Sequence, residues 1–344
     1  MKKLIALYLV FGAVSCSIRS TTDPIDKSER LLPDQISLGG VLAELLVTDS
    51  VDQFLQADSS YFISEIESMS KRLEQLKAER KELDGTNLSK QWDGLNQEVL
   101  LNFETLSIKD VNAWVALSDS LLKYTQEVRF ADALERIAYN PVGNNQISKA
   151  QLKSFYYTRL YDRIYFNVLG SSSLHYEHTT GGVVRLVQAT DYPFDNRISI
   201  KVELQDTRYL DFYIRIPEWA TNSTIMVKGV KYAVIPGRYT EIAKKWKNGD
   251  EVEIMIGIEP EVVENNDSAF ALTYGSLFLT YLNSSIKQLA FHKENPIDYL
   301  KMVSPAGKLT TFTFTGVEDT TLVFQPYFSK EYDSIGRTAW INRR

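Results

Sequence analysis

The sequence predicts an α+β multidomain protein: an N-terminal helical region over residues 31–150, then an antiparallel β-sandwich over residues 151–344. Three observations carry this. Phe62, Ile66, Met69, Leu73, Leu76 and Leu83 recur at four-three spacing with charges between them, the seam of an amphipathic helix. Ile198, Ile200, Val202 and Leu204 alternate with Arg197, Ser199, Lys201 and Glu203, the period of a half-buried strand. From about Leu152 onward, short runs of β-branched and aromatic residues follow one another without helical patterns between them.

At the N-terminus, Lys2 and Lys3 precede the apolar run Leu4 to Val14 and the pair Ser15-Cys16. A charged start, an apolar stretch and small residues before a cysteine describe a lipoprotein signal peptide over residues 1–16. The stretch is too short to span a bilayer, which takes about 20 residues. Cys16 is then the expected lipidation site, and the protein an envelope lipoprotein held at the membrane by its anchor. Residues 17–30 are polar and aperiodic, the composition of a tether.

In the helical region, Asp84-Gly85 is a stop for the first helix. A second helix starts near Ser107 and carries Val111, Trp114, Val115 and Leu122 on one face, with Ser118 as a polar interruption. A third runs from about Arg129 to Tyr139, and Asn140-Pro141 ends it. Strands are expected at 165–168, 183–188, 198–204, 210–216, 224–227, 251–256, 269–272, 277–281, 309–314 and 321–324. The turn signals Asp195-Asn196, Lys228-Gly229, Pro236-Gly237 and Asn248-Gly249-Asp250 punctuate them. Trp219 follows the strand-ending Pro217 and Trp246 precedes a tight turn, so both are expected in the core rather than as ligand platforms.

The chain has 344 residues and a net charge of -6, which disfavours nucleic acid as a partner because phosphate binding takes a basic face. Its one cysteine excludes an intramolecular disulfide and any multi-cysteine zinc site. His175, Glu177 and His178 are close in sequence, but strand neighbours point to opposite faces. They are expected to be solvated edge residues rather than metal ligands.

Several strings then occur in a telling order: Asp191-Tyr192-Pro193-Phe194-Asp195, Ile214-Arg215-Ile216-Pro217-Glu218-Trp219-Ala220, Val227-Lys228-Gly229, Pro236-Gly237-Arg238-Tyr239 and Lys245-Trp246-Lys247-Asn248-Gly249-Asp250. They resemble the C-terminal β-domain of glycoside hydrolase family 127, the β-L-arabinofuranosidases and their relatives. Tyr274-Gly275-Ser276-Leu277, Gln325-Pro326-Tyr327-Phe328 and Trp340 are similar to later landmarks of that family. Residues 31–48, Phe103-Glu104-Thr105 and the string from Phe130 to Asn140 resemble pieces of its α/α-barrel. The likeness covers residues 31–48 and 100–344, with only about sixty residues where the family has most of its barrel. The resemblance therefore implies a truncated α/α-barrel followed by the sandwich.

It also implies a chemistry. The family's active members hold zinc through three cysteines and a glutamate, and one cysteine is the nucleophile. Glu104 matches the zinc-ligand glutamate, but Leu106 stands where a zinc-binding cysteine is expected, and the cysteine pair expected between Asn140 and Tyr165 is absent. A thiolate nucleophile and a soft metal site need sulfur. The chain is expected to hold neither zinc nor another cofactor. Paired carboxylates could replace the thiolate; Asp93, Glu98, Glu104 and Asp110 are the candidates, though on helices such residues are usually a solvated face. Glu104 is the one family site residue retained, with a cap or polar contact near Ser107 as its plainer role. Two readings stay open: a non-catalytic envelope lipoprotein that binds a glycan or an envelope protein, and a divergent hydrolase of arabinose-containing or related glycans.

Overall fold

The computed structural model describes residues 31, 33–45, 62–83, 87–140, 147–265, 269–282, 296–303, 311–315, 321–327 and 337–342. The export signal with Cys16, the tether and the Asp84-Gly85 stop lie outside the described residues.

Six α-helices are described: α1 (Gly40–Leu45), α2 (Ile63–Glu79), α3 (Asn87–Leu101), α4 (Ile108–Thr125), α5 (Val128–Tyr139) and α6 (Lys149–Tyr156). The four-three seam of α2 buries Ile66, Met69, Leu73 and Leu76, and α2 packs against α3 and α4. Ser107 caps α4 by accepting from the Asp110 N–H (3.1 Å), while its hydroxyl donates to Asp110 Oδ2 (2.7 Å). Asp110 Oδ1 also accepts the Phe62 N–H (3.3 Å), which joins the start of α2 to that of α4. The polar interruption in α4 has a use: Ser118 accepts the Trp92 indole N–H from α3 (3.0 Å), so a buried donor is satisfied inside the helix layer. Sequence periodicity did not separate α3 from its neighbours, nor find α1 and α6.

The strands are β1 (Ile36–Leu38), β2 (Tyr157–Leu160), β3 (Arg163–Phe166), β4 (Ser172–Glu177), β5 (Val183–Thr190), β6 (Arg197–Leu204), β7 (Arg208–Ile216), β8 (Thr224–Val227), β9 (Val230–Tyr232), β10 (Arg238–Trp246) and β11 (Glu251–Met255). They form a seven-stranded sheet, β1-β4-β5-β6-β11-β8-β9, and a four-stranded one, β10-β7-β3-β2. The inward sides share one core: Ile198, Ile200 and Val202 from the first sheet, and Leu210, Phe212, Ile214 and Ile216 from the second. Trp246 lies in this core, its indole N–H on the Leu210 carbonyl (3.0 Å) and its ring stacked on Phe212 at 4.4 Å. Trp219 is buried as well, so both tryptophans are core residues.

The expected order of helices followed by antiparallel sheets holds, with three corrections of detail. The sheets are antiparallel except at β3 and β7, which pair in parallel, Arg163 opposite Asp211 and Tyr165 opposite Tyr213. Side-chain period reports which face a residue takes, not strand direction. The sandwich also does not extend to the C-terminus. Strands β12 (Pro260–Asn265), β13 (Ala269–Tyr274), β14 (Leu277–Leu282), β15 (Leu300–Val303), β16 (Thr311–Thr315), β17 (Thr321–Pro326), β18 (Arg337–Thr338) and β19 (Trp340–Asn342) make a third sheet. One side of it encloses a separate core of Phe270, Leu272, Leu279, Tyr281, Phe312, Phe324 and Ile341. The other side packs Phe278 and Tyr327 on Phe103, at 4.2 and 5.1 Å between ring centroids. In addition, β1 places a strand of the sandwich within residues 31–150, where only helix was expected. Three residues are too few for an alternating pattern to register.

Candidate functional site

Glu104 and Leu106 follow α3. Leu106 is buried among apolar side chains. Glu104 is half-buried, and its Oε1 accepts the Ala339 N–H (2.8 Å) from the segment between β18 and β19. It therefore ties the third sheet to the helical layer, while Ser107 and Asp110 supply the cap of α4. Glu104 thus has a partner 235 positions away, which the sequence did not indicate.

The other sequence candidates do not gather around Glu104. Asp93 is exposed on α3 and pairs with Arg129 (2.6 Å). Glu98 is exposed, and Asp110 is held at the cap. His175 and Glu177 are exposed on β4. His178 is not the solvated edge residue that was expected: it is buried, accepts the Thr180 N–H at Nδ1 (3.1 Å), and presents Nε2 to Asp162 and the Tyr209 carbonyl, each at 3.3 Å. A tight turn after β4 folds it under the neighbouring hairpin. Among the described residues, no three His, Cys, Asp or Glu side chains converge as a metal site. The donor set at Glu104 does not fit a zinc–thiolate centre, since Leu106 offers no lone pair and Glu104 holds a backbone amide.

A stronger constellation went unnoticed in the sequence. Asp132 and Glu135 are three apart on α5, hence on one face of the helix. Both accept from Arg215 of β7, which is wholly buried. Glu135 Oε2 also accepts the Leu169 N–H (2.8 Å), and Oε1 accepts the hydroxyls of Tyr192 (2.9 Å) and Ser276 (2.6 Å). Asp132 Oδ2 accepts the Glu218 N–H (2.9 Å). Beside them, Asn140 donates to the Ser276 carbonyl (2.7 Å) and accepts the Phe278 N–H (2.8 Å). One knot of polar groups thus fastens α5, the four-stranded sheet and the β13–β14 turn together. At that turn Gly275 has φ +59°, and a Cβ there would meet the Trp219 ring at 3.1 Å. Burial pushes Asp132 up to about 6, with Arg215 and the Glu218 N–H pulling the other way. Arg215 is raised by its two carboxylates against its own desolvation. Arg215 and Glu135 are wholly buried, Asp132 is partly exposed at the edge, and their oxygens are taken up by partners inside the knot, so its role is structural. Its signal in the sequence was an arginine inside the apolar run Leu210–Ile216 and an acid beside Leu134 on an apolar helix face.

The same outward side of the four-stranded sheet opens toward its other end. Along β7, exposure rises from 0% at Arg215 through 8% at Tyr213 to 53% at Tyr209. Tyr213 stacks on Tyr165 at 4.4 Å and donates its hydroxyl to Glu241 (3.0 Å). Beyond them, Leu160, Tyr161, Asp162, Arg163, Tyr209 and Asp211 line a cleft of about 270 Å³. Tyr161 is 54% exposed and sits at φ +55° in the β2–β3 turn. Arg163 Nε lies 3.7 Å from Asp211 Oδ2, while Asp211 Oδ1 is buried without a hydrogen-bond partner. Burial raises the Asp211 carboxyl above the ordinary range, against the pull of Arg163, and Glu241 and Asp162 push the same way as burial. A larger hollow of about 400 Å³ lies along α2 between Ser64 and Gln75. It is the solvated side of that helix, where Arg72 bonds Gln75 (3.1 Å), and it brings no convergent groups.

Comparison with known proteins bears on the sandwich. A family model of the middle domain of the GH127 β-L-arabinofuranosidases matches residues 163–258, the stretch from β3 to the start of the third sheet. Solved structures share the fold. A glycoside hydrolase superposes with a TM-score of 0.55 at 16% identity, over 69% of this chain and 52% of its own. A GH127 β-arabinofuranosidase gives 0.57 at 18%, over 69% and 49%. The GH127 β-L-arabinofuranosidase of Geobacillus stearothermophilus T6 gives 0.54 at 16%, over 68% and 49%. The chain spans about half the length of these structures. No curated protein sequence matches it. Residues 163–258 are thus similar to the GH127 middle domain, and the helices-then-sheets order of the sequence analysis is a fold shared with these structures.

Proposed function

We propose that this protein is an exported envelope lipoprotein, anchored through Cys16, that binds glycan without cleaving it. The observation that carries the non-catalytic half is the state of Glu104. It is the one residue retained from the zinc and nucleophile set that the family resemblance implies. Its carboxylate holds the third sheet by the Ala339 N–H, beside a buried Leu106. Binding is supported by an aromatic and polar cleft on the face of a GH127-like sandwich.

The tests are direct. Cys16→Ala should move the mature protein from the membrane fraction to the soluble one. The detergent-solubilised full chain should show no turnover of aryl arabinofuranosides and should retain binding to arabinose-containing oligosaccharides. Turnover abolished by Glu104→Gln would establish the rebuilt hydrolase instead.

A further inference from the structure

We infer that the cleft at the open end of the four-stranded sheet is a subsite for one neutral sugar residue bearing vicinal hydroxyls, with Tyr161 and Tyr209 as its apolar contacts and Arg163 and Asp211 as its hydrogen-bond partners. The inference deepens the glycan-binding reading and rests on it.

Four features point the same way. Tyr161 keeps a bulky exposed ring in the left-handed region, a conformation disfavoured for a residue with a Cβ and one that glycine would adopt freely. Tyr209 presents a second exposed ring to the same cleft. Aromatic rings pack well on the C–H faces of sugars while their hydroxyls stay wet. The polar groups are placed for diols. Arg163 and Asp211 are too far apart for a hydrogen bond at 3.7 Å, and Asp211 Oδ1 has no partner. Adjacent hydroxyls can donate to the accessible part of the Asp211 carboxylate and accept from the Arg163 guanidinium.

The cleft is also held in shape. Asp162 accepts the Thr179 N–H (3.3 Å) and hydroxyl and faces His178 Nε2, which also reaches the Tyr209 carbonyl. The turn carrying Tyr161 and the strand carrying Tyr209 are thereby fixed to one buried imidazole, and such preorganisation lowers the entropy lost on binding. Size and charge narrow the ligand. About 270 Å³ is just under the usual range of small-molecule sites, room for one residue of a glycan and not for a chain. Two carboxylates face one guanidinium, so a uronate or a sulfated sugar meets net negative charge.

The test uses the detergent-solubilised full chain titrated with neutral arabinan and galactan oligosaccharides and, separately, with oligogalacturonate. A neutral oligosaccharide should bind more tightly than the uronate. Tyr161→Gly and Tyr209→Ala should each weaken it about tenfold, the worth of one ring contact, with thermal melting no lower than in the parent. Asp211→Asn should weaken it by a smaller factor, since the amide still offers one oxygen. Binding that survives both tyrosine changes undiminished would overturn the site and leave the glycan-binding reading standing. Tighter binding of oligogalacturonate would overturn the ligand class. Failure of the parent chain to bind any of these glycans would overturn site and reading together.

Discussion

Arg215 and Asp211 stand on the same side of the same strand, four residues apart, and live in opposite conditions. Arg215 is covered by α5, and its charge is met by two carboxylates that are themselves bonded to backbone and hydroxyl donors. Asp211 lies beyond the reach of α5, at the rim of a cleft, with one oxygen unmatched and a loose ion pair. A helix laid across a sheet face forces its charges to pair, because an unpaired charge there has no water to turn to, even though Arg215 Nε itself is left without a hydrogen-bond partner. Where the covering helix ends, the incompletely paired residue borders a cleft, and there it can meet a ligand.

The sharpest way to break this comparison is at the covered end. Arg215→Met leaves Asp132 and Glu135 facing each other without the cation that they bond. Breaking a buried pair by removing one partner destabilises by about 3–5 kcal/mol, so urea unfolding should show a loss of that size. Glu135→Leu introduced with Arg215→Met should recover much of it. If the single change is silent, the knot does not hold α5 to the sheet.

The next effect is in pH. Asp132 sits near pKa 6 in the folded chain against 3.8 ordinarily. Arg215 and Arg136 face it as cations and Glu135 as an anion. Between about pH 4 and 6 the folded state keeps a proton that the unfolded chain has released. Stability therefore falls as pH rises through that window, by at most about 3 kcal/mol from this group. Below it the contribution is fully present, and above it the contribution is gone. Unfolding midpoints measured across the window should decline, and Asp132→Asn should flatten the decline.

Such knots explain what could be read without coordinates. The seam of α2, the cap at Ser107 and the alternation of β6 are local, and each follows from a period or a cap that a short window contains. The helices-then-sheets order was legible for the same reason. The pairing of β3 with β7, the separate third sheet and the link from Glu104 to Ala339 join residues distant in sequence, and no local period encodes them. The cleft was hidden in another way. Tyr161 and Tyr209 fall just outside the strand runs 165–168 and 210–216 that the sequence marks, and only the register of β3 on β7 and the turn at Tyr161 bring them to one rim.

A smaller effect tests the link that joins the third sheet. Glu104→Ala removes the acceptor for the Ala339 N–H, a loss of about 1 kcal/mol for one hydrogen bond. Glu104→Gln keeps an oxygen there and should lose less. Hydrogen exchange at the Ala339 amide should rise in the first variant and little in the second.

The smallest change expected in stability is the most informative at the open end. At Tyr161 the ring is exposed and the backbone is left-handed. Tyr161→Gly removes the strain of a Cβ at φ +55°, about 1–2 kcal/mol, and adds the freedom of glycine to the unfolded chain, about 0.5–1 kcal/mol against folding. The difference leaves a shift of about 0–1.5 kcal/mol toward greater stability. A residue kept only for the fold should lose stability when replaced; one kept for its ring should not. Urea unfolding of Tyr161→Gly at or slightly above the parent, beside sugar binding weakened by that change, would show that the open end is held for recognition. A clear loss of stability would instead make Tyr161 a structural residue of the β2–β3 turn, and the contrast between the two ends of β7 would then be one of packing alone.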